Sequence, residues 1–107
     1  MMTTRAVKPS DFETISNFTQ SAEELFYIAP FAEFPWQADK FAEAIQERVS
    51  NTVFIHGETI TGFANFYDFE FGDRGFIGNV IINPVMRRRG FGKQVLEHMI
   101  ETGFSQH

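Results

Sequence analysis

The segment from Phe76 to Lys93, FIGNVIINPVMRRRGFGK, limits the possible folds more than any other part of the chain. Its first half is rich in β-branched residues and ends at Pro84, as a strand does. Its second half crowds Arg87, Arg88, Arg89 and Lys93 around Gly90 and Gly92. From Phe91 onward, Phe91, Val95, Leu96, Met99 and Ile100 recur at helical spacing, and Gly103 is expected to stop that helix. Two glycines between a strand and a helix permit a sharp turn and leave backbone amides uncovered by side chains. At a helix N-terminus those amides and the macrodipole favour an anion, and phosphate is the usual one.

The surrounding composition sharpens this reading. Four of the nine basic residues lie in this stretch, although the formal net charge of the 107-residue chain is -5. An acidic chain of this kind is not expected to partner nucleic acid or an anionic membrane, so the basic cluster reads as a local device for one anionic ligand. Hydrophobic residues make up 43% of the sequence and fourteen residues are phenylalanine, enough for one packed domain over 1–107 and against disorder. There is no apolar run of membrane-spanning length and no apolar leader at the N-terminus, so a cytoplasmic protein is expected. Cysteine is absent, and His56, His98 and His107 are too scattered to bind a metal together.

Upstream, Thr3–Val7 reads as a short strand. Ser10-Asp11-Phe12-Glu13 has the form of a capping box opening a helix with Phe12, Ile15 and Phe18 on its apolar face. A second box, Ser21-Ala22-Glu23-Glu24, opens a short helix that Pro30 ends. After the aromatic linker FAEFPW, the residues Phe41, Ala44, Ile45 and Val49 recur at helical spacing. The period then changes. TVFIHGETITGFANFYDFEF reads as a hairpin with Gly57-Glu58 at its turn, and Gly72-Asp73-Arg74-Gly75 as the turn into a third antiparallel strand. The expected class is α+β, a mainly antiparallel sheet flanked by helices.

Two common phosphate motifs fail here. Gly92-Lys93 is followed by Gln94 rather than Ser or Thr, and a dinucleotide fingerprint would need glycine where Val95 stands. The pattern Arg/Gln-x-x-Gly-x-Gly/Ala fits Arg87-Arg88-Arg89-Gly90-Phe91-Gly92 at every defined position. Together with the strand before it, the helix after it and the strand-helix-helix-hairpin order upstream, GNVIINPVMRRRGFGKQVLEHMI resembles the central motif of the GNAT superfamily of N-acetyltransferases. FPW followed by QADKFAEA also resembles the helical segment of the bacterial ribosomal-protein alanine N-acetyltransferases.

The resemblance implies a cosubstrate, acetyl-coenzyme A, and no metal. It implies that the strand at Val80, Ile81 and Ile82 offers backbone groups to the pantetheine arm, and that Arg87, Arg88, Arg89, Gly90, Phe91, Gly92 and Lys93 surround the pyrophosphate. The reaction would be direct transfer of an acetyl group to a primary amine of a small molecule or peptide, with a strand amide near Ile82 polarising the thioester carbonyl. No catalytic side chain is assigned. Tyr67, Asp68, Glu70, Asp73 and Asn79 are polar groups near the expected centre, but none has a spacing that fixes a role. The family continues beyond the helix that ends here near Gly103, so an incomplete form of the fold is expected. A non-catalytic coenzyme-A-binding or dimerising module is the alternative. An uncharged edge at Val80–Ile82 invites aggregation unless covered, and a homodimer around it is expected. His56, His98, His107 and the Phe34-Pro35-Trp36 run read as turn, surface, tail and packing residues.

Overall fold

The computed structural model describes residues 2–70, 74–87 and 90–106, and their side chains except those of 67–70, 74–76 and 104–106. The elements follow the order β1 (Met2–Ala6), a 3-10 turn (Pro9–Asp11), α1 (Phe12–Ser16), α2 (Ala22–Ile28), α3 (Ala38–Ile45), β2 (Val49–His56), β3 (Thr59–Glu70), β4 (Arg74–Ile82), a second 3-10 turn (Pro84–Met86) and α4 (Phe91–Gln106). The four strands form one antiparallel sheet in the order β1-β2-β3-β4. The α+β architecture expected from the periodicity is therefore present.

Strand alternation divides the core between the two faces of this sheet. On one face Val53, Phe63 and Ile81 pack with Ile15, Phe18, Leu25, Trp36, Phe41 and Ile45 from the first helical half. Phe41 is the hub, meeting Phe12, Trp36 and Phe63 edge to face at 5.7, 5.1 and 5.2 Å. Trp36 is buried, in keeping with a packing role for the Phe-Pro-Trp run. On the other face Phe54, Ala64 and Phe66 receive Val95 and Met99 from α4, with Ile77, Val80 and Ile82 beside them.

Four local expectations are corrected. Ser10 caps nothing: Pro9 begins a 3-10 turn, and the carboxylate of Asp11 accepts the Lys8 backbone N–H at 2.8 Å. Val49 opens β2 instead of closing α3, because the helix ends at Ile45. Arg74 and Gly75 belong to β4, while Phe71–Asp73 lie outside the described residues. Gly103 does not stop α4, which runs to Gln106. A Cβ on Gly103 would lie 3.6 Å from the Phe66 ring, an ordinary contact, so the glycine faces the sheet without being required by it. Of the second box the cap is present, with Ser21 Oγ accepting the Glu24 N–H at 3.1 Å, while the Glu24 carboxylate accepts from Arg87.

Candidate functional site: an open strand edge running into a glycine turn

Among the described residues, β4 has a strand partner on one side only. Its register against β3 slips in the middle: Phe63 faces Ile81, yet Asn65 faces Gly78. One β3 residue is thus opposite two of β4, which is a β-bulge. Asn79 marks the irregularity with φ 39°, a left-handed conformation that asparagine tolerates better than most residues. The bulge also explains the packing, since it puts Ile77 on the α4 face with Val80 and Ile82, and Ile81 on the opposite face.

Beyond the bulge the direction of the backbone groups can be assigned. The Asn83 N–H donates inward to Thr61 O at 2.8 Å. Alternation along an antiparallel edge strand then points the N–H and C=O of Ile82 and Val80 outward, and those of Ile81 toward β3. An extended ligand can pair with such an edge as an added strand.

The same strand leads directly to the turn. Asn83 Oδ1 accepts the Val85 N–H at 3.1 Å, its Nδ2 donates to Ile60 O at 2.9 Å, and Pro84–Met86 forms the 3-10 turn. Gly90 has φ 82°, and neither it nor the start of α4 is crowded: a Cβ on Gly90 would meet nothing within 4 Å, and one on Gly92 only Ile82 Cγ1 at 3.9 Å. The first amides of the 16-residue helix α4 have no carbonyl partner within the helix, and the described residues leave room beside Gly90. The backbone fits an anionic group such as a pyrophosphate.

The basic residues divide. Lys93 extends into solvent with Glu97 Oε1 3.9 Å from its Nζ. Arg88 and Arg89 lie outside the described residues. Arg87 turns away from the glycines: Nη1 donates to Glu24 Oε2 at 3.0 Å, Nη2 donates to Glu24 Oε1, and Nη2 also reaches Ile82 O at 3.3 Å and Phe18 O at 3.4 Å. The Arg87 guanidinium holds the Glu24 carboxyl below its ordinary range. Phe91 is half-buried against His56, its ring 5.6 Å from the imidazole, and on the buried side of α4 lie Val95 and Met99. Leu96 and Ile100, expected on that side, are largely exposed.

Of the other polar residues singled out, Asn79 is buried, and its neighbours Asn65 and Asn51 were not anticipated. Sequence offered no signal for them beyond asparagines in β-rich segments. Tyr67, Asp68 and Glu70 lie on β3 with side chains outside the description, and Asp73 lies outside it altogether. His98 packs edge-on against Phe54 at 5.3 Å. No metal-binding group of three His, Asp or Glu occurs among the described residues, and no described helix is long and apolar enough to cross a membrane.

The four-stranded antiparallel sheet, bulged at its β4 edge and continued by a glycine turn into a helix, is a fold shared with solved N-acetyltransferases. The chain belongs to the acetyltransferase (GNAT) family, whose pattern it matches over residues 13–107. No curated protein matches the sequence. Among solved structures it resembles the ribosomal-protein-S18-alanine N-acetyltransferase from Escherichia coli, with 24% identity, a TM-score of 0.60, and 94% of this chain and 58% of that one covered. It also resembles a spermidine N-acetyltransferase chimera from Vibrio cholerae and hSSAT, with 18% identity, a TM-score of 0.73, and coverages of 97% and 63%. A third is the N-acetylglutamate synthase from Neisseria gonorrhoeae complexed with coenzyme A and N-acetylglutamate, with 18% identity, a TM-score of 0.66, and coverages of 96% and 22%. The chain spans less than two thirds of the length of each of these proteins.

Proposed function

We propose that the chain transfers an acetyl group from acetyl-coenzyme A to a primary amine by direct attack. The observation that carries this reading is the continuity of the open β4 edge at Val80 and Ile82 with the uncrowded turn at Gly90 and the helix start at Gly92. The pantetheine arm would pair with the edge, and the pyrophosphate would take the free amides of Phe91, Gly92 and Lys93, with Arg88, Arg89 and Lys93 supplying charge. Arg87, paired with Glu24, would hold the turn in place from behind.

An outward strand amide at Val80 or Ile82 is suited to polarise a thioester carbonyl. The attacking amine must reach it neutral. At an ammonium pKa of about 10.4, roughly one molecule in two thousand is neutral at pH 7, so proton removal is part of the task. Acceptor selection is assigned to the segment from Tyr27 to Trp36, where the exposed rings of Tyr27, in the last turn of α2, and Phe31, just after it, flank the helix end that Asn79 bonds. The exposed Leu96 and Ile100 on α4, with Val85 beside the open edge, would be covered by a second copy of the chain.

Calorimetric titration of acetyl-coenzyme A into the 107-residue chain tests the reading, alongside Gly90→Asp, which places a carboxylate among the amides. Micromolar binding lost in the variant is expected. A folded parent chain that binds nothing would overturn the assignment. Binding without transfer to any of a panel of primary amines would support the non-catalytic module instead. Sedimentation equilibrium tests the second copy, and a monomer at micromolar concentration would exclude it.

A further inference from the structure

Three asparagines form a continuous line of amide hydrogen bonds under the first helical half. Asn51 Nδ2 donates to Ile45 O at the end of α3, at 3.2 Å. Asn65 Nδ2 donates both to Asn51 Oδ1 at 2.9 Å and to Asn79 Oδ1 at 3.2 Å. Asn79 Nδ2 donates to Ile28 O at the end of α2, at 2.9 Å. The line crosses β2, β3 and β4 at the level of the bulge and ties it to the ends of two helices.

The arrangement carries a cost that packing alone does not explain. Asn65 is fully buried, and its Oδ1 accepts no hydrogen bond from the protein. Turning that amide over would set its oxygen against Asn51 Oδ1 and Asn79 Oδ1, so the orientation is determined by the two bonds it donates. An apolar residue at 65 would avoid an orphaned buried acceptor. The line instead holds both ends of the Asn79 side chain, at the one β4 residue with a left-handed backbone.

We propose that Asn79 is a positioning residue: the bonds from Asn65 and to Ile28 O hold the β4 bulge in the shape that aims the Val80 and Ile82 backbone groups at the thioester. This rests on the acetyl-transfer reading. Asn79 touches no reacting atom in this assignment. It acts through the backbone of the next residues, and through Ile28 it links that backbone to the end of α2, from which the aromatic acceptor segment departs.

Two variants separate clamp from backbone. Asn79→Gly keeps the left-handed conformation accessible and removes the side chain, while Asn65→Leu removes the donor and keeps an apolar core. In both, amide hydrogen exchange at Ile81 is expected to accelerate by at least about fivefold, the equivalent of one net hydrogen bond, while core amides of β2 hold their protection. Both ligands present the pantetheine arm to this edge, but only the acetylated one presents a carbonyl to the aimed amide, so affinity for acetyl-coenzyme A should fall several-fold further than affinity for coenzyme A. Unchanged exchange at Ile81, a uniform loss of protection across the sheet, or equal loss of both ligands would each overturn the positioning role. A parent chain that binds neither ligand would overturn the acetyl-transfer reading itself, and the role with it.

Discussion

Arg87, five residues past the end of β4, forms a two-pronged ion pair with Glu24 on α2, 63 positions earlier in the chain. The same guanidinium reaches the carbonyl oxygens of Phe18 and Ile82. It therefore laces the entry to α2, the exit of the open strand and the start of the glycine turn. A residue of the basic cluster that reads as a ligand for phosphate is, in the folded chain, a fastener for the turn.

Replacing Glu24 by Gln tests that fastener. Both partners are partly exposed, so a loss of about 0.5–1 kcal/mol at pH 7 is expected in urea denaturation. The Glu24 carboxyl titrates below its ordinary range because Arg87 hydrogen-bonds its charged form. A depressed folded-state pKa contributes stability above the unfolded value, about 4.3, and loses it as pH falls through the folded value. The gap between Glu24→Gln and the parent should accordingly close below about pH 4.

Asp11 gives a stronger version of the same titration. Its buried carboxylate accepts Arg5 at 2.7 and 2.9 Å and the Lys8 N–H at 2.8 Å, joining β1 to the first turn. The hydrogen bonds from Arg5 are the chief cause of its lowered pKa. Asp11→Ala should destabilise by about 2 kcal/mol at pH 7, through loss of charged hydrogen bonds and an unpaired Arg5. Thermal melts between pH 7 and 2 should show the parent losing this advantage progressively below about pH 4.

Gly62→Ala probes the seam between β3 and β4. The new Cβ would sit 2.9 Å from Ile81 O and 3.1 Å from Ile82 Cδ1. A backbone oxygen is the nearest obstacle, so β4 must shift, at a cost of about 1–3 kcal/mol. Chemical denaturation measures this cost, and weaker acetyl-coenzyme A binding is expected in step with it.

At Gly90 the obstacle is conformation. With φ 82° and no atom within 4 Å of an added Cβ, Gly90→Ala meets no clash but is forced into a left-handed backbone. A loss of about 1–2 kcal/mol is expected for alanine and less for Gly90→Asn, since asparagine tolerates that region. Equal costs for the two, in matched unfolding experiments, would show that the turn relaxes to another shape.

How much of this was legible depends on how local the cause is. The hairpin at Gly57, the cap at Ser21, the strand that ends before Pro84 and the helix from Phe91 each depend on a few neighbouring residues, and each is where the pattern places it. Errors arise where a distant partner decides. Ser10 yields to Asp11 because Arg5 on β1 claims that carboxylate. Gly103 lies within α4, facing the Phe66 ring of the sheet, and does not end its helix. Leu96 and Ile100 continue a helical stripe, yet the sheet is met mainly through Val95 and Met99. The asparagine line was illegible because its members are 14 positions apart and acquire meaning only when three strands are side by side.

The extra residue at Asn79 puts the two halves of β4 out of phase. A hydrophobicity pattern read in one frame along the whole strand would assign Ile77 and Ile81 to the same side, whereas they lie in different layers of the molecule. Deleting Asn79 would restore an even ladder and leave both layers as they are: Ile77 would then stand three residues before Ile81 and stay with Val95 and Met99. Sequence comparisons that place a one-residue gap at Asn79 therefore keep the preceding residues on their own side of the sheet, whereas an ungapped alignment to an unbulged strand exchanges their two faces.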